Sequence, residues 1–130
     1  DVVHCHNLIG MSLGIIDVAR NLNIRTCITL HDNWGFCYKN ILLDNYGVFC
    51  NDFYNCSCCR DAITYKGIHI PIGLRRAYIK RTVSKADCYI SPSRYLADTY
   101  VSAGFDSSKM NVISNGIDVD RFSSVKNGGL

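Results

Sequence analysis

The sequence predicts an α/β fold, an open sheet of mostly parallel strands flanked by helices and interrupted by one cysteine-rich insertion. Short β-branched runs recur at residues 2–5, 24–30, 87–91 and 111–114. Segments of helical periodicity separate most of them, and strand–helix–strand alternation implies right-handed parallel units. The run at 24–30 (IRTCITL) is apolar without strict alternation, as a strand covered on both faces reads.

Each element has its own justification. After the strand at 2–5, His6-Asn7-Leu8-Ile9-Gly10 reads as a loop entering a helix. At helical spacing Met11, Ile15, Ile16, Val18, Ala19 and Leu22 fall within an arc of about 160°, opposite Asp17, Arg20 and Asn21. Asn23 suits the left-handed residue that ends such a helix. A second helix is expected over 73–86 and a third strand over 87–91. Ser93 follows Pro92 as an N-cap. In the helix after it Leu96, Ala97, Tyr100, Val101 and Ala103 share one face, and Gly104 is the stop. A fourth strand at 111–114 closes on the turn pair Asn115-Gly116.

Composition limits the function classes. The chain has 130 residues, 48% hydrophobic and 19% charged, enough for the core of one domain. A net charge of +3 gives no ground for nucleic-acid binding. The cations Arg75, Arg76, Lys80, Arg81 and Lys85 fall at about 0, 100, 140, 240 and 280° around their helix and gather on no face. A solvated helix is the favoured reading, and peripheral membrane contact is a weak alternative. No apolar run approaches the roughly 18–20 residues of a membrane span. The opening Asp1-Val2-Val3 starts inside a strand, so the chain is expected to be a fragment. Upstream strands or a partner copy would then cover its sheet edges.

The eight cysteines form two populations. Cys5, Cys27 and Cys88 sit in strand-like runs and are expected to pack as small hydrophobes. Cys37, Cys50, Cys56, Cys58 and Cys59 fall in a segment of weak periodicity that has little core of its own. Cys37, Cys50, Cys56 and Cys59 supply four thiolates, two of them as C-x-x-C, and a structural zinc ion is the favoured staple. Disulfides and unligated thiols are the alternatives, and Cys58 is a spare that could replace Cys56 or Cys59.

In open α/β sheets ligands bind outside the carboxyl ends of the strands. Here those ends carry His6-Asn7, His31-Asp32, Ser91-Pro92-Ser93 and Asn115-Gly116. His4 and His6 lie two apart and share a face. The favoured reading has His4 buried and hydrogen-bonded and His6 at the rim of a cleft, with a metal pair as the alternative. Asp32 either orients His31 or caps a turn. Asn7 either meets a substrate or caps the helix, the latter favoured. Trp34 and Phe36 either form a stacking platform for a ligand or, as favoured, pack the loop. Ser93 caps a helix whose amino end would suit an anion, although the cap alone accounts for it.

Four stretches occur in register: His4-x-His6-Asn7; Thr29-Leu30-His31-Asp32-x-Trp34-x-x-Cys37; Ser91-Pro92-Ser93-Arg94-Tyr95-Leu96-Ala97; and Asn115-Gly116-Ile117-Asp118-x-x-x-Phe122. Together they resemble the amino-terminal domain of the family 4 glycosyltransferases, which have the GT-B fold with Rossmann-like lobes. The cysteine insertion resembles that of a subset of the family. The resemblance implies a partial acceptor-side domain at 1–122, with the cysteine loop at 37–59 and a linker at 123–130 toward a carboxyl-terminal domain. The family's first strands, its Gly-rich loop and its second lobe have no counterpart, so this domain alone is expected not to catalyse. Ser114 replaces the usual Pro before Asn-Gly.

The implied activity is transfer of a hexosyl group from a nucleotide sugar to an acceptor hydroxyl, for polysaccharide or glycolipid synthesis. No organic cofactor is expected, and the implied location is the cytoplasm or the inner face of the membrane. His31 matches the family histidine beside the reacting sugar, with Asp32 next to it. His6, Asn7, Trp34, Ser93, Asn115 and Gly116 are the residues expected on the acceptor and substrate side. A histidine at a strand end can hydrogen-bond a sugar hydroxyl, which fits the role. The competing reading is a stand-alone metal-binding interaction module built on the cysteine loop.

Overall fold

In a computed structural model, which describes residues 1–6, 8, 10–52, 56–59, 64–65, 68–69 and 71–117, the chain begins with strand β1 (Val2–Cys5). Helix α1 (Gly14–Asn21) then leads to strand β2 (Arg25–Thr29). A short antiparallel pair, β3 (Thr64–Tyr65) and β4 (Ile68–His69), follows the cysteine loop. Helix α2 (Ile72–Val83), strand β5 (Cys88–Ser91), helix α3 (Arg94–Ser102) and strand β6 (Met110–Val112) complete the order. The main sheet has four strands in the order β1-β2-β5-β6, with every neighbouring pair parallel. This is the expected α/β, Rossmann-like arrangement.

The sheet grows in one direction, so right-handed crossovers place all three helices on one face. Contact of α1 with α2, and of Lys80 on α2 with the Phe105 ring just after α3, agrees with that placement. Between sheet and helices lies the core, which includes Ile16, Ile28, Leu30, Val83, Tyr89 and Tyr100. Its aromatic centre is a set of edge contacts: Phe36 and Phe105 lie 5.1 and 4.9 Å from Tyr100, and Tyr89 lies 5.9 Å from Phe105. Burial pushes the Tyr89 phenol up to about 12, and its hydroxyl donates to the Val83 carbonyl at 2.9 Å.

Helix ends follow their local chemistry. Asn23 adopts φ 56° after α1, and the N–H groups of Asn23 and Ile24 return to the carbonyls of Arg20 and Ala19 at 3.0 and 2.9 Å. Gly104 does the same after α3 at φ 85°, with Gly104 and Phe105 donating to Val101 and Tyr100. The Ser93 hydroxyl accepts the Leu96 N–H at 3.2 Å, the expected cap of α3. Ser93→Ala should therefore cost about 1 kcal/mol in chemical denaturation, while Ser93→Asp should retain most of the stability.

Several boundaries differ from expectation. Helix α1 starts at Gly14 instead of Met11, because the Ser12 hydroxyl accepts the Gly14 N–H in a local turn. Of its apolar arc, Ile16 and Ala19 are buried, whereas Met11, Val18 and Leu22 are exposed. Helix α2 ends at Val83, where the Lys109 ammonium donates to the carbonyls of Ser84 and Ala86. Strand β6 begins at Met110, paired with Tyr89, although Ile113 still donates to Ser91. On α3, Val101 is exposed while Leu96, Ala97, Tyr100 and Ala103 are buried.

The strand thiols Cys5 and Cys27 are buried, and Cys88 is half-buried opposite Cys27. Burial, followed by the neighbouring Cys88, pushes Cys27 up to about 12. The carboxylate of Asp87 accepts the N–H and hydroxyl of Thr26, which holds it below the usual range and locks β5 to β2. The basic helix is more than a solvated face. Arg76 is only 9% exposed, Arg75 lies 5.3 Å over the Tyr38 ring, and Lys85 pairs with Asp17. Among the described residues no helix is long and apolar enough to cross a membrane.

Candidate functional site

The carboxyl ends of β1 and β2 bring three imidazoles together. Parallel register sets His4 against Cys27 and Cys5 against Ile28, so the residues just beyond both strands emerge side by side. His6 Nδ1 lies 3.1 Å from His31 Nε2, with the rings 5.4 Å apart and tilted by 23°. One ring must supply the N–H and the other the lone pair. His4 stands 4.5 Å from His6, ring to ring, and its Nε2 meets Thr29 Oγ1 at 2.8 Å. The shared face and the hydrogen bond of His4 agree with expectation, but its burial does not. Val3 and Cys5 turn toward the core, so His4 on the alternate face points away from the helical layer.

The turn after His31 is built by its own side chains and by α3. Asp32 Oδ1 accepts the Trp34 N–H at 2.9 Å, which makes this carboxylate a turn cap, one of its two expected readings. Phe36 and Cys37 donate to the Asn33 carbonyl at 3.1 and 2.7 Å and close the next turn. The hydroxyl of Tyr100 donates to the Asp32 carbonyl at 3.0 Å and accepts the Gly35 N–H at 3.2 Å. A Cβ on Gly35 would come within 2.9 Å of the Tyr100 ring, so only glycine lets the turn sit this close. Burial pushes the Tyr100 phenol well above its ordinary value and keeps it a neutral donor.

The clamp by Tyr100 was not anticipated in the sequence, where that residue reads only as part of an apolar face. The available clue was chemical: a buried tyrosine needs a partner for its hydroxyl. Thr29, which holds His4, reads in the sequence as strand and as the start of a motif, with nothing to point to that bond.

Trp34 and Phe36 are not a stacking platform. Trp34 is 3% exposed and both rings join the core, because the tight turn directs them inward. Trp34 nevertheless keeps one polar atom in play. Its buried Nε1 has no hydrogen-bond partner, and the residue lines an open cleft of about 440 Å³. The cleft also takes Leu8, Met11 and Ser12 from the loop after β1, and Arg75 and Tyr78 from α2. Arg75 also carries a buried guanidinium nitrogen without a partner, and burial lowers its pKa from the ordinary value.

The remaining expected residues are more dispersed. Ser93 is engaged by its cap, and its carbonyl accepts the Ser91 hydroxyl at 2.8 Å. Asn115 and Gly116 are exposed beyond the end of β6. Asn7, the motif residues Asp118 and Phe122, and the linker expected at 123–130 lie outside the described residues, as does the side chain of Cys58.

Cys37, Cys50, Cys56 and Cys59 stand as thiols around one small cavity, which Tyr38 and Ile72 also line. Burial pushes the Cys56 thiol up, against the opposing pull of Arg76. Among the described residues, no three or more His, Cys, Asp or Glu side chains are assembled around a common metal position.

Comparison with known proteins places this geometry in a family. A family model described as Glycosyltransferase Family 4 matches residues 1–121, through the histidine turn, the cysteine segment and the strands on either side. No curated protein and no solved structure matches the chain. The match covers nearly the whole chain, and the four-stranded parallel sheet with its flanking helices agrees with a lobe of the GT-B fold: this chain belongs to glycosyltransferase family 4.

Proposed function

We propose that this domain presents an acceptor hydroxyl for transfer of a hexosyl group from a nucleotide-sugar donor, in the synthesis of a polysaccharide or glycolipid. The observation that carries the reading is the His6–His31 pair at the carboxyl edge of a parallel sheet of this family. His31 and His6 are exposed and can offer one N–H and one lone pair to a sugar hydroxyl. In this role His31 aligns the acceptor oxygen, and Asp32 acts on it indirectly by setting the turn. The nucleotide-sugar donor supplies the activated bond, and no organic cofactor is required. A cytoplasmic location with peripheral membrane contact completes the reading, and the three strand thiols suit a reducing compartment.

The cleft beside this edge supports an acceptor with an anionic group. Among the residues that line it, Trp34 Nε1 and one Arg75 guanidinium nitrogen are buried donors without a partner, and Leu8 and Met11 supply apolar wall. In the enzyme that carries this domain, Arg75→Gln should lower kcat/KM for a phosphorylated or carboxylated acceptor by about 10–100-fold, the worth of one charged hydrogen bond. Trp34→Phe should give a smaller loss in the same direction. Steady-state kinetics with the donor and acceptor varied separately check this: KM for the donor should stay unchanged. An effect confined to the donor, or equal losses with neutral and anionic acceptors, would overturn the assignment of this cleft.

A further inference from the structure

The cysteine segment needs a staple that its own packing does not provide. Between Cys37 and Cys59 the described secondary structure is a single bridge, Leu43 to Phe49, and one short turn of 3₁₀ helix at Ser57–Cys59. The buried apolar cluster at this end holds only Cys59 and Ile72, with Tyr38 and Cys56 against it. Yet four cysteines from three separate turns arrive at one cavity of about 20 Å³, room for one water-sized occupant.

Each thiol is delivered by a specific backbone bond. Cys37 donates its N–H to Asn33 at 2.7 Å, and Cys50 donates to Leu42 at 2.8 Å. Cys59 donates to the Cys56 carbonyl at 2.9 Å, closing the C-x-x-C turn, while Cys56 itself is held at φ 50°. That left-handed conformation is disfavoured for a residue with a side chain, and such strain persists where the surroundings demand it.

Charged groups stand close to the cavity. Arg76, which is almost wholly buried, acts electrostatically on Cys56, and Arg75 on both Cys37 and Cys56. Asp52 also lines the cavity, its carboxylate accepting the Ser57 N–H and hydroxyl. A divalent ion held by four thiolates would carry a net charge of −2, which nearby cations favour.

We propose that Cys37, Cys50, Cys56 and Cys59 bind one structural zinc ion in a tetrahedral tetrathiolate site. The four cysteines line one cavity, but among the described residues they are not assembled at a common metal position, and binding would have to bring their sulfurs together. Four protons leave as the thiolates form, and no oxidant or reductant is involved. The site does not depend on which acceptor the His31 turn serves, and Arg75 borders both it and the acceptor cleft.

The test uses the full chain purified without added metal. Elemental analysis should give close to one equivalent of zinc, released by a mercurial reagent. After metal removal, cobalt(II) should produce the charge-transfer and ligand-field bands of a tetrahedral tetrathiolate. Cys37→Ser and Cys59→Ser should each lose that spectrum and the bound zinc, while Cys88→Ser, outside the segment, should keep both. If a serine variant fails to fold, the metal content and cobalt spectrum of the native chain still decide the matter. Clearly substoichiometric metal in folded protein with no cobalt thiolate spectrum would overturn the proposal. Disulfides among these cysteines under reducing preparation, or stoichiometric iron in place of zinc, would overturn it as well.

Discussion

In the enzyme that carries this domain, replacing His31 with alanine should lower kcat by about 100-fold or more and leave the fold intact. The size follows from the proposed role, a positioned donor or acceptor beside the reacting hydroxyl, the kind of group whose loss costs roughly 10²–10⁴ in rate. The fold is spared because His31 is exposed and its side chain is tied to His6, outside the core. His6→Ala should cost less, since it removes the neighbour that orients His31 and leaves His31 in place. Turnover at saturating donor and acceptor, together with thermal unfolding by circular dichroism, separates the two effects. Unchanged turnover in His31→Ala would withdraw the residue from the reaction.

Replacing Tyr100 with alanine costs about 3–5 kcal/mol of stability, the range for truncating a fully buried aromatic side chain. The ring makes edge contacts with Phe36 and Phe105, so its loss opens a void at the centre of the core. Tyr100→Phe isolates the hydroxyl. It keeps the ring but leaves the Gly35 N–H without an acceptor and the Asp32 carbonyl without a donor, at about 1–3 kcal/mol. The phenylalanine variant should also lower turnover more than a stability loss of that size explains, because the clamped turn begins at the residue after His31. Chemical denaturation measures the first effect, and activity well below the unfolding midpoint the second. A phenylalanine variant as active and as stable as the parent would show that the ring alone holds the turn.

What could be read in advance divides along physical lines. Strand and helix types were legible because period and capping are local. Ser93, Asn23 and Gly104 each mark a helix end through chemistry that acts within a few residues. Extents were less legible. Met11 has the right spacing for α1 but is diverted by the Ser12 turn, and Val18 and Leu22 satisfy the apolar arc yet stay exposed. An arc shows which residues share a side; what covers that side depends on the rest of the fold. The β3–β4 pair went unseen because two-residue strands carry almost no periodicity.

The same division runs through the site. His31 and His6 were identifiable from the rule that parallel sheets bind ligands at their carboxyl ends, and from the order of motifs that marks the family. That they stand 3.1 Å apart is a consequence of β1–β2 register, a contact between residues 25 positions apart. The cysteine spacing likewise named four candidate ligands, and only folding showed that all four line one cavity beside Arg76.

Taken by itself, the sequence determined the α/β class, the family and the edge of the sheet where the candidate site residues lie. These depend on local periodicity, on turn residues and on motif order. The tertiary structure alone decided that Trp34 turns inward with its buried indole N–H left unpartnered, that His4 faces away from the helices, and that Tyr100 reaches across to hold the Asp32–Gly35 turn. The reason is physical: periodicity and caps are properties of neighbouring residues, whereas burial, orphaned donors and clamps arise where distant segments compete for the same space.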